Sequence, residues 1–246
     1  DSLQKRLQHR RVPFRRRAVS ARTYFLRMAG SESQNSSSSS TPELLAPAGT
    51  LKAFHAAVEA GADAVYLGLQ QFNARLRAPN FSVKTLSYLT PWAHSRGAKV
   101  YVTLNTQLKQ QELRPAIDVV YQLSQIGVDA IIVADLGLVG MARRYFPRLR
   151  LHASTQMTIT DSAGVRAAKR LGLARVTLAR ELTLDDIESV CRRSPLEIEV
   201  FVHGAVCYSV TGLCLASSCL GGLSGNRGRG TQVCRRRLED DRRRRY

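Results

Sequence analysis

The sequence predicts an α/β protein whose parallel strands form a TIM-like (β/α) barrel, and three observations lead to this fold class. Short apolar runs alternate with segments of helical periodicity from residue 43 onward, which is the pattern of a parallel sheet with helical crossovers. No Gly-x-Gly-x-x-Gly motif follows the first apolar run, so an open dinucleotide-binding sheet is disfavoured. Polar residues follow almost every apolar run, as they do at the mouth of a barrel.

The predicted elements follow one another in order along the chain. The apolar runs predicted as strands are residues 44–48, 64–69, 99–104, 130–134, 149–153, 175–179 and 198–202. Helices are predicted at about 50–60, 83–96, 110–126, 137–146, 162–171 and 183–193, with Gly61, Gly97, Gly127 and Gly172 near their ends as C-terminal caps. A complete barrel has eight strands, so we expect the eighth strand to be missing from this chain.

Basic residues concentrate at the two ends of the chain. Of the net charge of +18, residues 1–30 contribute +8 and residues 227–246 contribute +6. Residues 1–42 are Arg-rich, poor in acidic residues and end in a serine run, so we predict a disordered leader that resembles a chloroplast or mitochondrial transit peptide. The alternative is a basic arm that contacts nucleic acid in a cytoplasmic protein. The predicted domains are this leader, a barrel at 43–235 and a charged tail at 236–246.

The composition argues against two classes of protein. No apolar run reaches the roughly 18 to 20 residues that a membrane-spanning helix needs, so we expect a soluble protein without membrane contact. Five cysteines in 246 residues are too few for a disulfide scaffold. The apolar fraction of 44% is sufficient for a domain with its own core.

Polar residues follow the predicted strands at the point where each strand ends. They are, in chain order, Asn73, Arg75, Asn105, Asp135, Ser154, Gln156, Arg180, Glu181 and His203. In a barrel these side chains converge on one mouth, where active sites lie. Each also has a structural alternative, because Asp135 can cap the next helix, Ser154 can bind backbone amides and Arg180 can pair with Glu181.

Two thiols and an imidazole follow the last predicted strand, in the stretch that begins at Glu199. Cys207 and Cys214 are seven residues apart, so a loop can turn both sulfur atoms toward one soft metal ion or iron–sulfur cluster. The spacing is not the Cys-x-x-Cys of a zinc ribbon, so a metal site and two half-buried thiols remain open alternatives. His203 is a metal ligand, a proton shuttle or a core histidine, and the sequence alone does not rank these roles.

The stretch Glu199-Val-Phe-Val-His-Gly-Ala-Val-Cys-Tyr-Ser-Val-Thr-Gly-Leu-Cys resembles the signature of the collagenase-like peptidase U32 family. Further blocks that fit this family are Glu43-Leu-Leu-Ala-Pro-Ala-Gly, Asp63-Ala-Val-Tyr-Leu-Gly, His152-Ala-Ser-Thr-Gln-Met and Ala179-Arg-Glu-Leu. The resemblance covers residues 43–235. It implies a complete or incomplete barrel with a cysteine-held 4Fe-4S cluster. It also implies oxygen-independent hydroxylation of a tRNA uridine, a ribosomal RNA cytidine or a ubiquinone precursor, with prephenate as hydroxyl donor in the RNA-modifying members.

The resemblance also implies a set of cluster ligands, which is incomplete in this chain. Cys207, Cys214 and Cys234 match the family pattern, and Cys219 is a further candidate. Relatives read Gly-Arg-Cys-x-x-x-Cys-Arg where this chain has Gly-Arg-Gly-Thr-Gln-Val-Cys-Arg, so Gly230 stands where they have a cysteine.

The leading hypothesis from the resemblance is therefore an RNA hydroxylase, most directly a tRNA hydroxylase that uses prephenate. The residues predicted to be catalytic are His203, Glu199, Arg180 and Glu181, and those predicted to bind substrate are Asn73, Arg75, Asn105, Ser154 and Gln156. The alternatives are a peptidase, as the family is labelled, or a truncated inactive relative that binds RNA. Neither a His-Glu-x-x-His nor a Gly-x-Ser-x-Gly motif supports proteolysis.

Overall fold

The computed structural model describes residues 41–204, 207–211 and 213–235. Within these residues seven parallel strands form one sheet in sequential order. The strands are β1 (Leu45–Ala48), β2 (Ala64–Gly68), β3 (Lys99–Leu104), β4 (Ala130–Val133), β5 (Leu151–Ala153), β6 (Arg175–Thr177) and β7 (Glu197–Glu199). The predicted α/β fold, a TIM-like arrangement of parallel strands, is thereby confirmed, and the described residues contribute seven strands to it. The predicted leader, apart from residues 41 and 42, and the predicted tail lie outside the described residues.

Helices connect the strands on the outer side of the sheet. They are α1 (Leu51–Glu59), α2 (Val83–His94), α3 (Leu113–Ile126), α4 (Leu136–Tyr145), α5 (Ser162–Arg170) and α6 (Leu184–Arg193), and a short α7 (Ala216–Gly221) follows β7. Polar side chains cap five of the helices at their N-termini, including Asp135, which accepts a hydrogen bond from Leu138 N at 2.9 Å. Gly127 ends α3 with φ of 80°, a conformation that glycine adopts without steric cost. None of the described helices has the length and apolar character needed to cross a bilayer.

The main hydrophobic core lies between the sheet and the helices. In β3, Val100, Val102 and Leu104 point toward this core and are fully buried. The intervening Tyr101 and Thr103 point to the opposite face, because successive side chains of a strand alternate between faces. A separate, smaller apolar cluster on that inner face contains Ala64, Tyr101, Ala130 and Ile132.

The inner face of β5, β6 and β7 is polar, and it carries the contact that curls the sheet. The guanidinium of Arg175 in β6 lies 2.7 Å from the carboxylates of Glu43, which precedes β1, and of Glu197 in β7. The Tyr101 hydroxyl also donates to Glu43 Oε1 at 2.8 Å. Arg175 therefore connects the two ends of a seven-stranded sheet across the barrel interior. Although partial burial opposes it, hydrogen bonds from Arg175, Lys99 and Tyr101 lower the pKa of Glu43 to about 2.

The last three strands are shorter than predicted. β7 ends at Glu199, whereas the apolar run suggested a strand to residue 202. Phe201 and Val202 are 47% and 60% exposed, so they gain little from extending the sheet. His203 consequently lies in a bend four residues beyond the strand end, and not directly at it.

Candidate active site at the barrel mouth

A chain of hydrogen bonds joins the carboxyl ends of three strands. Asn105, directly after β3, accepts a hydrogen bond from Ala74 N at 3.0 Å and donates its amide to Ser154 Oγ at 3.4 Å. Ser154, directly after β5, in turn accepts a hydrogen bond from Gln156 N at 3.2 Å. Three of the residues predicted to bind substrate, Asn105, Ser154 and Gln156, are thus brought together in one network.

The loop after β2 is held against this network by Asn73. Its buried side-chain amide donates a hydrogen bond to Asn80 Oδ1 at 2.7 Å. Its side-chain oxygen, Oδ1, accepts hydrogen bonds from Arg75 N and Thr103 Oγ1. A side chain at Gly68 would collide with it, because a Cβ built there lies 2.0 Å from Asn73 Nδ2. Asn73 therefore orders the loop, while Arg75 in the same loop is exposed.

Two buried acceptor oxygens at the mouth have no hydrogen-bond partner among the residues that the structure describes. They are Gln156 Oε1 and Glu199 Oε2. The other Glu199 oxygen accepts a hydrogen bond from Thr177 Oγ1 at 3.0 Å, and Arg175 lies 3.7 Å from Oε2. Burial raises the pKa of Glu199 above its ordinary value, although Thr177 and Arg175 oppose the shift. A buried acceptor without a partner is unfavourable, so each oxygen would be stabilised by a hydrogen-bond donor that reached it.

The segment after β7, comprising residues 207–211 and 213–235, packs onto the strand-end loops. Fully buried Thr211 donates its hydroxyl to Glu181 Oε2 at 2.5 Å and accepts a hydrogen bond from Arg180 N at 3.2 Å. Arg227 forms a bidentate ion pair with Glu112 at 2.7 and 3.0 Å. Arg180 and Glu181, both predicted to be catalytic, therefore anchor this C-terminal segment, and a catalytic role for them stays a prediction.

His203 lies outside the network. It is exposed, in a bend with Gly204, and its predicted catalytic role likewise stays a prediction. Glu199, by contrast, points into the barrel interior beside Thr177. The structure thus separates two residues that the sequence placed together at a strand end.

The thiols do not assemble a ligand set in the described residues. No three His, Cys, Asp or Glu side chains among them converge as a metal ion requires. Cys207 lies 3.1 Å from Ser209 Oγ, and Cys234 is exposed. The residues present therefore do not fit a four-thiolate iron–sulfur cluster.

Gly230 accounts for part of this mismatch. A Cβ built at Gly230 lies 3.9 Å from Ser217 Oγ and meets no obstruction, and the same hydroxyl is 3.8 Å from Cys214 Sγ. A cysteine at position 230 would therefore have the Ser217 hydroxyl as a neighbour, as the Cys214 thiol does.

Sequence reasoning missed the polar side chains of the barrel interior. His152 is 1% exposed, and neither of its ring nitrogens has a partner among the described residues. Burial and the nearby Arg175 lower the pKa of His152 to about 3, so the ring is neutral. It packs edge-on against Tyr101 at 4.9 Å. The sequence does contain a signal for this interior. Polar residues occupy every second position in two short strands or directly after them, at His152 and Ser154 and at Arg175 and Thr177, and such residues share one face of a sheet.

Two RNA-modifying proteins of Escherichia coli (strain K12) are similar to this chain. A 23S rRNA 5-hydroxycytidine synthase is 42% identical over 193 residues, a match that covers 78% of this chain and 29% of that protein. The tRNA hydroxylation protein P is 39% identical over 195 residues, covering 79% of this chain and 43% of that protein. The chain therefore spans less than half the length of either relative.

The family and the fold are shown by two further comparisons. The solved structure of the U32 peptidase Mk0906 has the same fold, with a TM-score of 0.57 at 20% identity, over 73% of this chain and 76% of that chain. The sequence profile of Peptidase family U32 matches residues 49–244. With this match and the identities above, the chain belongs to peptidase family U32.

Proposed function

We propose that this protein acts in RNA hydroxylation, with a pyrimidine base of tRNA or ribosomal RNA as its substrate. The observation that carries the proposal is the 38 to 42% identity to RNA-hydroxylating relatives over about 78% of the chain. The family match over residues 49–244 includes β2 to β7 and the residues of the mouth.

The geometry of the mouth supports a base as the ligand. Pyrimidine edges present hydrogen-bond donors and acceptors, and side-chain amides pair with both. The unpartnered oxygens of Gln156 and Glu199 would accept hydrogen bonds from the N3–H of a uracil or the amino group of a cytosine. Asn105 and Ser154 hold Gln156 in place for that contact.

The finer part of the proposal concerns the hydroxyl donor. Prephenate is a dianionic acid, and Arg75 and Arg180 provide exposed positive charge in the loops after β2 and β6. An anionic donor bound between these loops would lie above the unpartnered Glu199 oxygen. The described thiols do not form a cluster site, so we assign no step of the reaction to an iron–sulfur cluster.

Peptidase activity is the second candidate, and one observation favours it. Cys207 is exposed, and hydrogen bonding from Ser209 together with the charge of Arg180 lowers its thiol pKa against the opposing effect of burial. A low thiol pKa is typical of nucleophilic cysteines. A cysteine peptidase also needs a general base beside the thiol. Cys207 instead contacts the hydroxyl of Ser209.

The two candidates are separated by mass spectrometry of nucleosides from tRNA and ribosomal RNA of cells with and without this protein. We expect one hydroxylated pyrimidine to disappear without the protein and to be replaced by the unmodified nucleoside. Unchanged nucleosides in both RNA fractions would refute the proposal. In that case cleavage of a denatured protein substrate that depends on Cys207 would support the peptidase.

A further inference from the structure

A groove of about 450 Å³ runs between α1 and α2 on the outer face of the protein. Its walls are formed mainly by Leu51, His55, Lys84, Tyr88, Leu89 and Trp92. Tyr88 is 69% exposed and Leu51 is 50% exposed, so the groove presents large apolar surfaces to solvent. Such an exposed apolar surface marks an interaction site more often than an isolated exposed side chain does.

The wall of the groove formed by α2 lies in a part of the chain that has no acidic residue, whereas α1, which forms the other wall, ends in the exposed Glu59. Residues 64–111 contain no Asp or Glu, and they contain six Lys or Arg residues. Two of these six, Lys84 and Arg96, are exposed on or shortly after α2, and Lys52 of α1, next to the groove residue Leu51, is also exposed. The charge of the α2 side suits a polyanion, because that side offers cations and no repelling carboxylate.

Aromatic rings form the floor and the edge of the groove. His55 stands edge-on to the Trp92 ring at 4.3 Å, and the Arg96 guanidinium lies 3.9 Å from the centre of that ring. Tyr88 lies on the same face of α2, one turn before Trp92. Its ring does not pack against another aromatic ring among the described residues. Exposed aromatic rings beside basic side chains are the combination that binds unpaired nucleotides, by stacking and by phosphate contacts.

The groove begins beside the barrel mouth. Helices of this fold start near the carboxyl ends of the strands, so Leu51 and Lys84, in the first turns of α1 and α2, lie at the level of the mouth. The loop between β2 and α2 leads from Asn73 of the mouth to Ser82 of the groove, and it carries the exposed Arg75 and Arg77. The loop that joins the mouth to the groove therefore presents two exposed arginines.

We propose that the α1–α2 groove binds a single-stranded segment of RNA that flanks the nucleotide held in the mouth. One base stacks on Tyr88, and the adjoining phosphates contact Lys84 and Lys52. This inference rests on the proposed RNA-directed function and extends it to a second contact surface. Unpaired RNA is favoured over duplex because a duplex offers no free base face to Tyr88.

The test uses the full chain and a short fluorescein-labelled oligouridine. We expect Tyr88→Ala to weaken binding about tenfold, since one stacked base is lost. The matched control is Tyr145→Ala, which removes a tyrosine that is 59% exposed on α4 and does not line the groove, and we expect it to bind like the wild type. Tyr88→Ala should leave the affinity for a double-stranded RNA of the same length unchanged.

A second pair of variants tests the phosphate contact. Lys84→Gln should reduce the slope of log affinity against log salt by about 0.7, because one fewer counterion is released from a single strand. Lys169→Gln, an exposed lysine at the end of α5, should keep the wild-type slope. If Tyr88→Ala and Lys84→Gln bind like their controls while the wild type binds RNA, the groove assignment is wrong and the proposed function is unaffected.

Two further results separate the groove from the function. A wild-type chain that does not bind oligouridine would overturn the groove assignment, whereas the proposed function is decided by the nucleoside analysis. If oligouridine binding depends on Tyr88 but cellular nucleosides do not change without the protein, the groove assignment stands and hydroxylation is refuted.

Discussion

Arg175 gives the sharpest test of how this incomplete barrel is held together. Its side chain is 10% exposed and contacts Glu43 and Glu197, each at 2.7 Å. Removing one partner of a buried ion pair costs about 3 to 5 kcal/mol, because the remaining charges stay buried without compensation. Glu43 and Glu197 are 20% and 48% exposed, so solvent reduces the penalty. We therefore expect Arg175→Gln to lower the free energy of unfolding by about 3 kcal/mol.

The matched control is Arg150→Gln. Arg150 pairs with the same Glu197 at 2.8 Å, but its side chain is 53% exposed. Surface ion pairs contribute less than about 1 kcal/mol, so urea unfolding at neutral pH should distinguish the two variants clearly. If both variants lose the same stability, Arg175 does not connect the ends of the sheet as described.

The pH dependence provides an independent check on Arg175. The folded pKa of Glu43 is about 2, below its ordinary value of 4.5. Its contribution to stability is therefore fully present above about pH 5 and is lost as the pH falls toward 2. In Arg175→Gln the part of that contribution that comes from Arg175 is absent, while Lys99 and Tyr101 still contact Glu43, so the stabilities of wild type and variant should converge as the pH is lowered from 6 to 3. A constant difference across this range would refute the role assigned to Glu43.

Four further predictions concern the site and the two ends of the chain. Gly230→Cys should increase the iron and sulfide bound after anaerobic reconstitution, because it adds a thiol that shares the Ser217 hydroxyl as a neighbour with Cys214; equal metal content in both proteins would contradict the ligand assignment. Thr211→Val should lower hydrogen-exchange protection in the C-terminal segment, with a local cost of about 1.5 to 3 kcal/mol for a hydrogen bond to a carboxylate; unchanged protection would show that the segment is held elsewhere. His203→Ala should change the melting temperature little, since the residue is exposed, but abolish RNA modification; full activity would remove His203 from the catalytic set. A reporter fused to residues 1–42 should enter an organelle, and a diffuse cytosolic signal would exclude a transit peptide.

Features that depend on neighbouring residues were predictable from the sequence. Asp135 caps α4 as the sequence suggested, and Gly127 has the positive φ expected of a helix end. The order of the strands also followed from local patterns, because apolar runs and helical periodicity are properties of short windows. The mouth residues Asn105, Ser154 and Gln156 could be found because strand ends of a parallel sheet meet at one edge.

Features that depend on distant residues could not be predicted in this way. Glu43 and Arg175 are 132 positions apart, and neither carries a local pattern that identifies its partner. Thr211 is another case, since its burial depends on how the segment after β7 packs onto Arg180 and Glu181. The length of β7 was overestimated because an apolar run does not reveal whether a neighbouring strand exists to pair with it.

The central claim is that the mouth holds an RNA base, and complementation with Gln156 variants tests it most directly. Cells that lack this protein are supplied with the wild type, with Gln156→Leu or with Gln122→Leu, a control on the exposed face of α3. The hydroxylated fraction of the affected nucleoside is then measured by mass spectrometry. We expect wild type and Gln122→Leu to restore it fully and Gln156→Leu to restore less than about a tenth, as expected for losing a hydrogen bond that positions the base. Full restoration by Gln156→Leu at equal protein levels would contradict a base held at the mouth.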